Sequence, residues 1–438
     1  MISLIAFLIL NAYLAIFLNR YMVQRKNPLN STKMLNLEGI EAFLVLMMAT
    51  GTLAMSSSGG GQGTGTGFNL QAIRLLLLEG FCVLGCLRST KTTRWGIGTV
   101  AYLIYMLWLL FTMTYSHTGS YGWRYILKYL YPMLLMLCTS SIVRDEEVFV
   151  SICVWTRRIA IVSLTTYFIP FVNNLLGGMF WYSTALDMHY STISCISLAL
   201  YFLYGKDIKD LIIAIIFVLP CMVIVHRTGL LCIFGAIAVF CFYKFKWISL
   251  PYIAGVGAIG LAIVFYVPAF HDKMFWKDTN NEYTISDLRS GGISDDDIRN
   301  NGREALWEML EIQFYKGKEL TGSGIGSCQK FLYEAPATVV KQTHGDYVQI
   351  RCDTGLIGLV LWFIVLGVIL VHCFIEAVNS ANPEYVKYCA IIAAGSIAGS
   401  YLAMYSDNCV TYTMCTNSYS FGFYGILLGL KAKIRGEA

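Results

Sequence analysis

Residues 355–374, "GLIGLVLWFIVLGVILVHCF", carry one ionisable side chain, His372, over a length matching the ~20 helical residues needed to cross a ~30 Å hydrocarbon core. Such a segment is comfortable only in lipid. The stretch before it, "KQTHGDYVQIRCDT" at 341–354, is its opposite, crowded with hydrogen-bonding and charged groups. The apolar run spans by itself, so the polar residues are expected to form a short outer helix or elbow at the membrane surface.

The rest of the chain repeats the pattern. It has 438 residues, 56% hydrophobic and 13% charged, where a soluble domain carries about a quarter charged residues. Apolar runs near 2–18, 37–55, 70–87, 95–114, 124–140, 147–170, 188–204, 211–226, 228–243, 248–268, 355–375, 387–405 and 411–430 make about 12–13 candidate spans. A transmembrane barrel would show alternating ten-residue segments instead. The expected fold is therefore all-α, a polytopic integral membrane helical bundle whose backbone satisfies itself within helices.

Short basic loops mark the cytoplasmic side. Arg20, Arg25, Lys26 and Lys33, then Arg88, Lys91 and Arg94, Lys206 and Lys209, Lys244 and Lys246, and the tail with Lys431, Lys433 and Arg435 fall in alternate loops. The intervening loops at 56–67, 116–122, 173–187 and 406–408 contain no Lys or Arg. One register fits both patterns: amino terminus outside, carboxyl terminus cytoplasmic, and the segment 269–345 outside. No cleavable signal peptide is evident, since the first run lacks a basic leader and a small-residue cleavage site. Three regions follow: transmembrane helices over 1–268, an extracytoplasmic loop with its elbow over 269–354, and closing spans with a cytoplasmic tail over 355–438.

Several chemistries have no support. The 14 cysteines lie mostly in apolar spans and read as small buried side chains. No CxxC or Cys/His cluster has metal-ligand spacing, and "SDDDIRN" at 294–300 reads as a solvated acidic turn, so neither metal nor cofactor is expected. The glycine-rich 59–67 stretch lacks the GK[ST] of a phosphate loop. A net charge of +5 is explained by basic cytoplasmic loops and needs no nucleic acid.

The 269–345 loop is far longer than the usual connection of about 4–6 residues, which points to function. Within it, "NNGREALWEMLEIQFYKG" predicts a helix of about four turns, capped by Asn300 or Asn301, with an apolar stripe of Leu306, Leu310 and Phe314 and a stop at Gly317. Arg303 falls in its first turn, where it either joins unpaired backbone N–H groups in an anion site or pairs in solvent with Glu304 or Glu308. In "TGSGIGS", Gly324 either lets amides approach a phosphate or merely turns the chain. His344 and Asp346 stand at the interface, as passive amphipathic residues or as reacting groups. Arg227 lies between two spans with almost no loop, and ionisable groups at such depth usually serve function. Arg124 and Lys128 share a helix face four residues apart, either extending a cationic pocket or snorkelling.

Together these segments resemble the family of O-antigen polymerases and O-antigen ligases, bacterial enzymes of lipid-linked polysaccharide assembly. The resemblance rests on "HRTGLL", "GREALW", "LTGSGIGS" and "HGDYVQIRCDTGLIGLVLWF" in the family's order, with "SDNCVTYTMCTNSYSFGFYGILLGL" similar to its last hairpin. It covers roughly 210–430. His226 stands where the family usually has serine, and Gly345 where asparagine commonly follows the histidine. The resemblance implies a multi-pass protein of the bacterial cytoplasmic membrane that works on an undecaprenyl-diphosphate-linked glycan, passing it to an acceptor glycan or glycolipid among membrane lipids and other polysaccharide-assembly proteins. It also implies roles: Arg227 and Arg303 as a diphosphate clamp, His344 as the base, Asp346 as the reserve base. Polymerase is the preferred expectation, ligase the alternative, and a flippase a third reading. The last calls for two similar halves around a cavity, and no internal repeat is visible.

Overall fold

In the structure, a computed structural model, residues 70–88, 94–168, 184–223, 225–275, 302–334 and 341–436 are described, with short pieces at 25–26, 34–35, 44, 284, 287 and 290. The expected spans 2–18 and 37–55, the loop 56–67, the acidic turn 294–300 and both proposed Asn caps lie outside them.

Fifteen helices are present among the described residues. They are α1 Leu70–Arg88, α2 Ile97–Met113, α3 Ser120–Ile142, α4 Glu146–Phe168, α5 Thr184–Leu203, α6 Ile208–Ile216, α7 Leu219–Val223, α8 Arg227–Phe245, α9 Leu250–Tyr266, α10 Pro268–Met274, α11 Arg303–Phe314, α12 Ser327–Glu334, α13 Asp346–Val378, α14 Glu384–Ala403 and α15 Thr413–Ile434. A two-residue antiparallel pairing joins Arg25–Lys26 to Met34–Leu35. The protein is an all-α polytopic membrane protein. By length and composition, α3, the α8–α9 stretch, α13 and α14 can each cross a membrane, and α2 and the Tyr190–Leu203 part of α5 are shorter apolar helices.

The α8–α9 stretch breaks at Lys246, whose φ is 55°, so the two spans expected there are separate helices joined by a tight 3-10 turn, Lys246–Ser249. The run 211–226 departs from expectation. It divides into α6 and α7 around Phe217 and Val218, because Pro220 has no N–H to continue the ladder.

Helix α14 is the axis of the bundle, with α5, α8, α13 and α15 packed around it. Its sequence "AIIAAGSIAGS" is rich in small residues, which let helices approach closely where lipid gives no hydrophobic drive to associate. A Cβ at Gly395 would stand 2.7 Å from the Cys195 sulfur and 3.2 Å from the Ala236 carbonyl oxygen. By contrast α9 has no fully buried residue and leaves much of its apolar surface exposed, touching the bundle through Ile263.

At one end of the bundle α11 and α12 pack on the first turns of α13 through Leu310, Cys328, Leu332 and Cys352, flanked by Leu306, Phe314 and Phe331. The apolar stripe of α11 is thus used against protein. The residue before its first turn is Gly302, in the left-handed region at φ 76°.

The expected elbow is present. Helix α13 kinks at Gly355, φ 70° and ψ −173°, which separates the polar turns 346–354 from the apolar run. The amides freed by the kink do not go unpaired: Leu356 donates to the Glu319 carbonyl at 2.8 Å and Ile357 to that of Leu320 at 3.2 Å.

Candidate active site

Arg303 opens α11, and its guanidinium donates to the Ser406 carbonyl at 2.6 Å. One turn later the same helix offers Trp307, whose indole N–H donates to the Thr343 carbonyl at 2.9 Å. That bond draws the segment carrying His344 under the start of α11. His344 adopts φ 51°, a left-handed conformation uncommon for residues other than glycine. It is held there by its own backbone N–H, which donates to the Asn408 side-chain oxygen at 3.0 Å. Burial and the neighbouring Arg303 charge both push the imidazole below its ordinary pKa of 6.5, while Asp407 opposes them. The ring is therefore neutral near pH 7.

The loop between α14 and α15, "MYSDNCVTY" at 404–412, gathers these elements. Ser406 accepts from Arg303 through its carbonyl and shares a hydroxyl contact of 3.0 Å with Thr228, the second residue of α8. Asp407 lies 3.8 Å from the His226 ring and accepts from the Asn408 amide at 2.8 Å. The Asn408 side chain, fully buried, donates to Gln342 at 3.1 Å and lies 3.3 Å from His344 Nδ1. Gln342 in turn donates to the Tyr412 hydroxyl at 3.1 Å. Tyr405 meets the Trp307 ring edge-on, centroids 6.0 Å apart.

Arg227 is the first residue of α8, and both neighbours, His226 and Thr228, reach this loop. Its guanidinium contacts the Met274 sulfur at 3.2 Å, and its charge adds to burial in pushing the Lys273 ammonium below its ordinary pKa. Lys273 is tied to the Val225 carbonyl at 2.8 Å. The chain ends of α8, α10 and α11 thus bring Arg227, Lys273 and Arg303 to one side of the bundle, around the loop that holds His344.

The remaining expected residues divide. Asp346, buried, accepts from the Val410 amide at 3.0 Å while its own N–H donates to the Met404 carbonyl at 2.9 Å. It clasps the 404–412 loop, and a carboxylate so engaged is a fastener before it is a base. Lys128 lies over the Tyr125 ring, 4.7 Å from its centroid. That tyrosine's hydroxyl bonds Gln329 at 2.8 Å, Thr411 at 3.1 Å and Gln349 at 3.3 Å, so Lys128 lines the same polar network. Arg124 stands further out, 5.8 Å over the Tyr121 ring.

Gly324 lies in a tight turn. Its N–H donates to the Asp353 carbonyl at 2.8 Å, and its φ of 95° brings the backbone against Ser116. The Gly326 and Cys328 amides go to the Asp353 carboxylate at 3.0 and 2.9 Å. The glycine turn spends these amides on the elbow and on capping α12, so they do not face a phosphate.

Asp407, Asn408 and Gln342 were not marked by the sequence reading, which took "SDN" only as an outer connector. The available signal was a Lys- and Arg-free polar triplet between two spans; in the structure Asp407 and Asn408 of that triplet are buried. Among the described residues no group of three or more His, Cys, Asp or Glu side chains is placed to hold a metal ion.

No curated protein matches the chain. Residues 212–363 match the family model described as O-antigen ligase. The matched stretch contains Arg227, Arg303, Gly324, His344 and Asp346, and stops short of the 404–412 loop that Arg303, His344 and Asp346 contact. Over residues 212–363 the chain is thus similar to the O-antigen ligase family, which supports the ligase and polymerase family of polysaccharide assembly.

Proposed function

We propose that the chain is a glycosyltransferase that moves a glycan from a polyprenyl diphosphate, undecaprenyl diphosphate in bacteria, to a sugar hydroxyl at the outer face of the cytoplasmic membrane. The observation that carries this reading is the seating of Arg303 and His344 against one partly buried loop, beside the α8 start that bears Arg227, at the polar end of a lipid-embedded bundle.

The substrate's chemistry fits such a place: sugar in water, diphosphate at the interface, polyprenyl tail in lipid. As the glycosidic bond breaks, charge grows on the departing phosphate oxygens, and fixed cations near them lower the barrier. Arginine suits the task because its planar fork meets phosphate oxygens bidentately and keeps its charge at any working pH. Arg227 and Arg303 are assigned to that clamp, and His344 to the reacting sugar oxygens. The transfer is proposed to need no metal, the arginines neutralising the diphosphate.

Of the two family activities we favour polymerisation of repeat units into a surface polysaccharide, because donor and acceptor are then amphiphiles of one leaflet and Trp123, exposed in the first turn of α3, offers an aromatic face to a growing chain. The description of the matching family favours the other reading, ligation to a lipid-anchored acceptor. Deletion of the gene decides between them. Loss of a polymerase leaves single repeat units on the carrier or the cell surface, whereas loss of a ligase leaves long polymer stranded on the carrier, and that outcome would overturn the choice.

A further inference from the structure

The Asn408 side chain has one orientation that satisfies its surroundings. Its oxygen accepts from the His344 backbone N–H at 3.0 Å, so its NH2 group is the end that faces both Gln342 Oε1 at 3.1 Å and His344 Nδ1 at 3.3 Å. Reversing the amide would set NH2 against N–H. The Asn408 NH2 in turn orients Gln342, whose oxygen accepts from it, while the Tyr412 hydroxyl lies within reach of both ends of the Gln342 amide, 3.1 Å from its NH2 and 3.3 Å from its oxygen. A relay of donors therefore runs from Asn408 into the imidazole. A group receiving a hydrogen bond at Nδ1 presents a lone pair there, and a neutral ring then carries its proton on Nε2.

Resting on the transferase reading above, we infer that Asn408 is a positioning residue that holds the His344 ring with Nδ1 as acceptor and the proton on Nε2, so that His344 meets the substrate as a hydrogen-bond donor and not as a base. In the transfer, the bond from the anomeric carbon to the diphosphate oxygen breaks with its electron pair going to that oxygen. The acceptor oxygen bonds to the anomeric carbon, and its proton passes to a departing phosphate oxygen. His344 orients these oxygens through Nε2–H and takes up no proton. This replaces the base role that the family resemblance implied for His344.

The arrangement is tested by Asn408→Asp in the full-length protein. A carboxylate at 408 accepts from Nδ1–H and leaves Nε2 bare in the neutral ring, so that only the imidazolium still donates. The charged and titratable groups around His344 are Arg303 on α11 and Asp407 in the loop, with His226 at the start of α8 against Asp407; all remain in the variant. Expected is a transfer rate that falls about tenfold per pH unit above the raised His344 pKa, a fall that wild type lacks. A variant whose rate instead rises with pH would make His344 a base and overturn the inference.

His344→Gln supplies a second arm, since its amide N–H reaches about as far as Nε2–H. It should retain activity within about tenfold of wild type, while His344→Ala loses far more. Equal loss in both would also overturn the inference. Nitrogen-15 NMR of histidine-labelled protein without substrate reads the ring directly. A protonated Nε2 and bare Nδ1 at His344, converted by Asn408→Asp, supports the assignment whether or not the transferase reading survives, and a bare Nε2 in wild type refutes it.

Discussion

His344 combines a left-handed backbone, a partly buried ring and a neighbouring guanidinium, and each acts on its proton affinity or its aim. Burial and Arg303 lower its pKa from 6.5 in the folded protein. The unfolded chain therefore binds the proton more readily, and stability rises with pH through this group. Its contribution is complete above the unfolded pKa of about 6.5 and is lost as pH falls below that value toward the folded one. Thermal midpoints in detergent should drop between about pH 7.5 and 5, and His344→Gln should flatten part of that slope; an unchanged slope would mean that the ring is not held neutral. Arg227, Arg303 and His344 were legible in the sequence because ionisable groups beside lipid spans stand out against the composition. Asn408 was not, because its meaning lies in partners 64 and 66 residues away, and Ser406 reaches Thr228 across 178. A polar triplet in a short loop carries no sign of which distant segment it will hold.

At the scale of elements the elbow is the feature that positions the site. Gly355 was read as the first residue of a span, and its φ of 70° makes it the hinge between the polar and apolar parts of α13. A side chain there meets two costs: the left-handed conformation, about 1–3 kcal/mol for a residue other than glycine, and collision with the Leu320 carbonyl. Gly355→Ala should therefore reduce membrane abundance and lower the melting temperature by several degrees. Gly367→Ala in the same helix, where a Cβ meets open space, should be neutral or slightly stabilising, since alanine is the better helix former by about 1 kcal/mol. Similar behaviour of the two variants would show that the kink carries no structural burden. The elbow was visible as an abrupt change from polar to apolar residues. The use of the glycine turn was not, because local sequence does not say whether amides at 323–328 will meet a phosphate or the Asp353 carboxylate.

For the whole molecule, hydropathy located the bundle well. The long apolar helices coincide with the apolar runs within a few residues, apart from the break at Phe217 and Val218 and the polar first turns of α13, because lipid leaves a spanning backbone few alternatives to helix. The arrangement of the bundle around α14 was not legible, since the small residues that permit it have no directional signal. Orientation remains a claim of charge distribution. A cysteine at Lys316, exposed in the turn after α11, should react in intact cells with a thiol reagent that cannot cross membranes, in a background whose accessible cysteines have been replaced. Protection until the cells are opened would put the proposed site on the cytoplasmic side. The central claim, that the cations and imidazole gathered at the 404–412 loop act on a lipid diphosphate, is tested most directly by following glycan transfer from a polyprenyl-diphosphate oligosaccharide with purified protein. Arg303→Lys should lose at least about a hundredfold in rate, the scale of ~3 kcal/mol of transition-state stabilisation, because an ammonium cannot reproduce the guanidinium fork, while melting like the wild type. Transfer at near wild-type rate by Arg303→Lys and Arg303→Ala alike would contradict the account.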